Sequence, residues 1–169
     1  MRITDQFVFF WGDNDVFSNF HPAPFTFSVG SNIIQVPTSE HGFMYIKARF
    51  FEDNAVANQI LLTKKPFDAK KLGRTIKNFD AELWDSISYT VMYDINKSKY
   101  EQNPQLMISL LQTYNRELVE ASPMDKVWGI GLGENDLDAE DKTMWRGQNK
   151  LGLVLTNLRN DFFKFLDNQ

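Results

Sequence analysis

Apolar residues change their spacing at Pro37, and that change limits what the chain can fold into. Before it the pattern is extended. Phe7-Val8-Phe9-Phe10-Trp11 is a short β-like run, stopped by Gly12-Asp13-Asn14-Asp15. Phe25-Thr26-Phe27-Ser28-Val29 alternates, and Ile33-Ile34-Gln35-Val36 follows the turn signal Gly30-Ser31-Asn32. Two such runs around a three-residue connection predict a hairpin. After Pro37 the spacing is helical. Thr38 or Ser39 caps a helix starting near Glu40, with Phe43, Ala48 and Phe51 as core contacts and Ile46 and Phe50 beside them. Shorter helices are expected over 56–62 and 67–72, limited by Pro66 and Gly73. Asp80 caps a longer helix through Ser98, with Phe79 and Trp84 placed as a hydrophobic staple and Leu83, Ile87, Val91 and Ile95 as its apolar stripe. Asn103-Pro104 opens a helix through Leu110-Leu111. Lys150 to Leu166 closes the chain, with Leu151, Val154, Leu155, Leu158, Phe162 and Phe165 on one side. The expectation is one α+β domain over residues 1–169, with short antiparallel N-terminal strands followed by packed helices.

Composition narrows the chemistry. The 169 residues are 43% hydrophobic and include 15 Phe and 4 Trp, enough for a buried core rather than disorder. The absence of Cys excludes disulfides, zinc–thiolate sites, iron–sulfur clusters and cysteine nucleophiles. His21 and His41 are the two histidines, so a three-histidine metal site within one chain is impossible. A net charge of -4 disfavours wholesale capture of nucleic acid while allowing a local basic pocket. Asp5, Asp13 and Asp15 interrupt any signal-like run, and no stretch approaches the roughly 18 apolar residues of a membrane span. The expected setting is cytoplasmic (the host cytoplasm if the gene is phage-borne), with no membrane partner.

Several polar groups can carry chemistry. Thr38-Ser39-Glu40-His41 is the densest of them, at a strand-to-helix junction. Lys47 lies two helical turns beyond Glu40, on the same face and about 10 Å away by rise. Glu40 can act as a general acid or base or stabilise positive charge on a sugar carbon; equally, it can simply complement the helix dipole. Lys47 can hold a phosphate or, if deprotonated by burial or cationic neighbours, attack a ribose C1. His41 reads more readily as a cap or wall residue than as a catalyst. Asn19, in Phe17-Ser18-Asn19-Phe20, suits either a base edge or an Asx turn. Lys70, Lys71 and Arg74 cluster around Gly73 as a phosphate site or a solvated basic face. In Pro123-Met124-Asp125-Lys126-Val127-Trp128-Gly129-Ile130-Gly131, Trp128 can stack on a base and Asp125 can orient a water or hydroxyl. Trp145-Arg146-Gly147-Gln148-Asn149-Lys150-Leu151-Gly152 is a second such element, in which Asn149 either caps the last helix or contacts ligand. The glycines there suit tight packing as well as a ligand. Glu134 to Asp141 reads as an exposed acidic loop.

Taken in order, Phe17–Phe20, Thr38–His41 with Lys47-Ala48, Leu72-Gly73-Arg74, Leu118–Asp125, Trp128–Gly131 and Trp145–Gly152 resemble the NADAR, or YbiA-like, family over about residues 7–163. The resemblance implies an α+β N-glycosidase that needs no metal or other cofactor. It implies hydrolysis of the bond between ribose C1 and a base, in phosphoribosylamino-pyrimidine intermediates of riboflavin biosynthesis. The alternatives are removal of ADP-ribose from guanine bases in nucleic acid, or a non-catalytic module binding ADP-ribose or nucleotide. The implied partner is thus a phosphoribosylated or ADP-ribosylated base, with ADP-ribosylated nucleic acid as the larger form. Carried over residue by residue, Glu40, Lys47 and Asp125 are the catalytic candidates, with Lys47 forming an imine-type intermediate at C1. Asn19, His41, Arg74, Trp128, Trp145 and Asn149 are the substrate-binding candidates. The long acidic stretch between Gly131 and Trp145 departs from the shorter segment of a small riboflavin-linked member and disfavours a long nucleic acid close by.

Overall fold

The computed structural model describes residues 1–168, in two compact units. One combines Met1–Ser18 with the chain from Pro104 onward; the other is Asn19–Asn103.

In the first unit β1 (Arg2–Ile3), β2 (Phe7–Phe10) and β5 (Glu117–Glu120) form a sheet in the order β1-β2-β5. All four residues of β2 are buried, as a central strand covered on both faces requires. β1 pairs with it antiparallel, but β5 pairs parallel, Phe7 opposite Glu117 and Phe10 opposite Glu120. The N-terminal strands thus pair antiparallel as expected, and the parallel partner comes from residues 117–120. Glu117-Leu118-Val119-Glu120 holds only two apolar residues between glutamates, too short a run to announce a strand in the sequence. Phe7, Phe9, Val119, Ala121, Ile130, Leu132 and Ala139 form the core of this unit, with Trp145 packed against it. α5 (Pro104–Leu111) and α6 (Lys150–Asp167) complete it. Leu151, Val154, Leu155, Leu158 and Phe162 are buried on α6, whereas Phe165, one further turn along, is exposed. The acidic stretch contains two short 3-10 turns, Leu137–Glu140 and Lys142–Met144, and Ala139 within it is fully buried, so it is only partly an exposed loop.

The second unit carries β3 (Phe25–Val29) and β4 (Asn32–Val36), paired as a hairpin with Val29 opposite Asn32. The connection is two residues, not three. Gly30 takes φ +59 at its first position, which lets Asn32 join the strand. Four helices follow: α1 (Ser39–Phe50), α2 (Asn54–Leu62), α3 (Pro66–Leu72) and α4 (Ala81–Gln102). Thr38, Asp53 and Asp80 cap α1, α2 and α4, each accepting a first-turn backbone N–H. α1 packs on α2, α3 and α4, and α4 packs on β3.

The buried face of α4 differs from the apolar stripe. Trp84, Ser88, Met92, Ile95, Asn96, Lys99 and Tyr100 are buried, while Leu83 is half exposed and Ile87 and Val91 sit at the margin. Polar residues occupy inward positions because they have partners. Asn96, for example, bonds the side chains of Asn19 and Ser39. Hydropathy spacing cannot register that compensation. Phe79 and Trp84 meet through a third ring, each lying against Phe51, at 5.3 and 6.3 Å between centroids. Among the described residues no helix is long and apolar enough to cross a membrane.

Candidate functional site

The first turn of α1 is built as a fixed platform. Thr38 Oγ1 accepts from the His41 backbone N–H at 3.4 Å and lies 2.8 Å from His41 Nδ1. The Glu40 N–H, one of the orphan donors of a helix start, donates to the Asn19 carbonyl at 3.0 Å. Beneath it runs a buried chain of side chains. Ser39 Oγ donates to Asn96 Oδ1 at 3.1 Å, Asn96 Nδ2 to Asn19 Oδ1 at 3.2 Å, and Asn19 Nδ2 to Met92 Sδ at 3.0 Å. Asn19 is thus clamped by backbone and side chain together. Its amide bonds Asn96 and Met92 from a buried position, and its backbone carbonyl places the start of α1 at Glu40. Glu40 is 5% exposed.

His41 is completely buried. Burial pushes its pKa below the ordinary value against the opposing Thr63 backbone and Asp68 carboxylate. A ring with no exposed surface does not touch a ligand. The expected substrate contact is therefore replaced by a brace for the cap of α1.

Lys47 projects toward the end of α3. Its Nζ donates to the Gly73 carbonyl at 3.1 Å and stands 4.0 Å from the centre of the Phe79 ring and 5.9 Å from that of Trp84. Burial lowers its pKa from the usual lysine range; the Glu40 carboxylate works against that shift and the Arg74 guanidinium adds to it. Glu40 and Arg74 thus both act on Lys47 within a single unit; helical spacing anticipates the first of these contacts and not the second. Gly73 permits the geometry, since a Cβ there would lie 2.0 Å from Met44 Sδ. Arg74 itself is exposed, beside exposed Lys71. Phe79 and the Gly73 carbonyl were not among the expected site groups. A carbonyl has no signature in sequence, and Phe79 reads first as a staple.

The other unit holds the remaining candidates. Asp125 Oδ1 accepts from the backbone N–H groups of Val127 and Trp128 at 3.0 and 2.9 Å, closing an Asx-type turn that presents half-buried Trp128. The 126–130 backbone lies against 146–151. Arg146, Gln148, Asn149, Lys150 and Leu151 donate their N–H groups to the carbonyls of Ile130, Lys126, Gly129, Val127 and Trp128. The first donors of α6 are thereby satisfied, which leaves them nothing to offer an anion. Gly147 is what allows this contact: a Cβ there would sit 2.3 Å from the Gly129 carbonyl oxygen.

Asn149, at φ +52 and 1% exposed, neither caps α6 through its side chain nor reaches solvent. Its Nδ2 donates to the Leu118 carbonyl and its Oδ1 accepts from the Glu120 N–H, both at 3.0 Å. The side-chain amide stands in for a neighbouring strand on the open edge of β5. Trp145 donates its indole N–H to the Ala139 carbonyl at 2.8 Å and lies 6.1 Å from the Phe7 ring. Its indole N–H anchors the acidic segment.

The chain also matches known proteins. It is 36% identical over 165 residues to the N-glycosidase R617 of Acanthamoeba polyphaga mimivirus, across 94% of this chain and 97% of that one. It is 35% identical over 163 residues to the chloroplastic riboflavin biosynthesis protein PYRR of Zea mays, covering 89% of this chain but 24% of that larger protein. The NMR structure of the Escherichia coli protein YbiA superposes with a TM-score of 0.76 at 28% identity, over 99% of this chain and 91% of that one. That structure shares the α+β architecture described above. Residues 9–163 match the NADAR domain through both units, and the chain belongs to the NADAR family.

Proposed function

We propose that this protein is an N-glycosidase that cleaves the bond between ribose C1 and the nitrogen of a base. The observation that carries the reading is the Lys47 amine, held by the Gly73 carbonyl beside two aromatic rings, with its basicity lowered and Glu40 and Arg74 within electrostatic reach. The N-glycosidase name of the mimivirus relative supports the reaction class. The name of the maize relative, of which this chain covers 24%, links the family to riboflavin biosynthesis, and a phosphoribosylamino-pyrimidine is the substrate we propose from it.

The chemistry follows from charge development. As the bond to the base lengthens, positive charge builds on C1 and the ring oxygen, and a fixed carboxylate nearby lowers that barrier. Neutral Lys47 attacks C1, forming a C–N bond as the bond to the base breaks. The proton lost by the amine goes to the departing base nitrogen, relayed by Glu40. Ring opening, in which the remaining N–H proton passes to the former ring oxygen, then gives an imine and a free hydroxyl. Water adds to the imine carbon and expels the lysine, yielding ribose phosphate as the free sugar. Arg74 faces the phosphate, and Lys70 and Lys71 add positive charge near it. Asp125 and Trp128, in the other unit, stand as separate candidates, the first for orienting a water or hydroxyl and the second for stacking on a planar base. Asn19, His41, Trp145 and Asn149 act one step back, by fixing the backbones that carry these groups.

The test is a parallel incubation with two substrates, followed by mass spectrometry. One is the phosphoribosylamino-pyrimidine formed after GTP ring opening; the other is a single-stranded oligonucleotide ADP-ribosylated on guanine. The expected result is base release from the first, lost in Glu40→Gln with the fold intact. Release of ADP-ribose from the oligonucleotide alone would move the protein to the nucleic-acid branch. Saturable binding with no product from either would leave a binding module.

A further inference from the structure

The segment from Lys77 to Asp80 is held more firmly than a connection between α3 and α4 requires. The Lys77 N–H donates to Asp53 Oδ2 at 3.0 Å, while the other oxygen of that carboxylate caps α2. Asn78 adopts φ +56, a left-handed conformation that asparagine tolerates better than most residues. Asp80 accepts from the Leu83 N–H and starts α4. Between these fixed points stands Phe79. It is 45% exposed, yet its ring is not loose: one side meets Phe51 edge-on at 5.3 Å and a face lies over Lys47 Nζ at 4.0 Å.

The ring and the Gly73 carbonyl are two attachments on one amine. The carbonyl accepts a hydrogen bond from Nζ and so fixes one N–H direction. The ring face attracts the charged amine through its quadrupole and keeps water from that side. A lysine side chain has four rotatable bonds, and without these contacts its amine would sweep a wide arc. We propose that Phe79 is a positioning residue for Lys47: clamped by Asp53 and the Asn78 turn, its ring and the Gly73 carbonyl hold the amine where it meets ribose C1. This rests on the N-glycosidase reading above and adds to it the residue that readies the nucleophile.

The surroundings leave few other groups to explain the behaviour of this amine. Glu40 on the same helix and Arg74 after α3 are the charges that act on it. Neither α2 nor β4 carries a charged residue. On α4, Glu82 and Asp85 are exposed, and Trp84 is the ring near the amine. On α3, Lys70 lies over Phe20 at 5.8 Å, while Asp68 and Lys71 are exposed.

The experiment measures the acetylation rate of Lys47 by acetic anhydride against pH, resolved by peptide mass spectrometry, in wild type and in Phe79→Ala, Phe79→Leu and Phe79→Tyr. Phe79→Ala lets water reach the amine, so its midpoint rises toward the ordinary lysine value. Phe79→Leu keeps the apolar cover without the ring face, so its midpoint stays at or below that of wild type. Phe79→Tyr behaves as wild type. In turnover, a one-unit rise in Phe79→Ala lowers kcat about tenfold at neutral pH, recovering as pH rises, with KM changed less than about twofold. A midpoint unchanged in folded Phe79→Ala, or moved equally by Ala and Leu, overturns the proposal. Base release that survives Lys47→Ala would instead sink the glycosidase role of the amine; the labelling midpoint is read independently of it.

Discussion

Replacing Asn149 tests how this fold closes an open sheet edge. β5 is an edge strand, and its outward backbone groups at Leu118 and Glu120 have no further strand to meet. Asn149 supplies a donor to one and an acceptor to the other, each at 3.0 Å, and the Ile130 N–H donates to the Glu120 carbonyl. Asn149→Ala removes two hydrogen bonds worth about 1 kcal/mol each and strands two backbone groups with about 1–3 kcal/mol of desolvation at stake. Alanine at φ +52 adds about 1 kcal/mol that asparagine largely escapes. Water entering the gap recovers part of this, so the expected loss is about 3 kcal/mol. For a chain of 169 residues that corresponds to about 6–12 °C in Tm. The assay is urea unfolding followed by far-UV circular dichroism, checked by a thermal melt. Two further variants separate the terms. Asn149→Gly relieves the backbone strain and is less destabilised than Asn149→Ala. Asn149→Asp keeps the acceptor for Glu120 but turns an oxygen toward the Leu118 carbonyl, so it recovers stability as acid protonates it. A loss in Asn149→Ala below about 0.5 kcal/mol, the range of an ordinary surface change, would refute the reasoning.

Three other outcomes are expected. Gly152→Ala places a Cβ 2.0 Å from the Leu118 carbonyl oxygen and 2.5 Å from the Asn149 side chain, neither of which yields cheaply; α6 must shift at a cost of about 1–3 kcal/mol, read by the same urea titration. Burial lowers Lys99 to about 7, so between about 7 and the unfolded value of 10.5 the unfolded chain binds more protons. Stability therefore rises with pH through that window, and Lys99→Met flattens the slope in melts taken at successive pH values. Trp145→Phe loses the hydrogen bond to the Ala139 carbonyl and costs about 1 kcal/mol, with faster amide exchange expected across residues 137–145.

The helices of this chain are legible because their ends are written in polar residues. Thr38 and Asp80 announce α1 and α4, and Pro104 opens α5, through local rules that do not depend on tertiary context. The pairing of Glu40 with Lys47 is legible for the same reason, since helical geometry alone sets it. What escapes the sequence depends on long-range partners. Parallel pairing of β5 with β2 joins residues more than a hundred positions apart, and two apolar side chains give no hint of it. Ser88 and Asn96 face inward on α4 where an apolar stripe predicts hydrocarbon.

The site candidates divide along the same line. His41, Asn149 and Trp145 are polar or aromatic residues in motif-like settings, and any of them suits a ligand contact on paper. Their polar groups instead meet Thr38, the backbone of β5 and the Ala139 carbonyl. A residue type states what a side chain can bond, while the fold decides whether that capacity remains for a substrate.

The central claim concerns one amine. Borohydride added during turnover of the phosphoribosylamino-pyrimidine would reduce an imine at ribose C1 to a stable secondary amine. The account predicts a reduced ribose phosphate adduct on the peptide carrying Lys47, absent without substrate and absent in Lys47→Ala, which also releases no base. Base release by Lys47→Ala at the wild-type rate, or an adduct confined to another lysine, would contradict it.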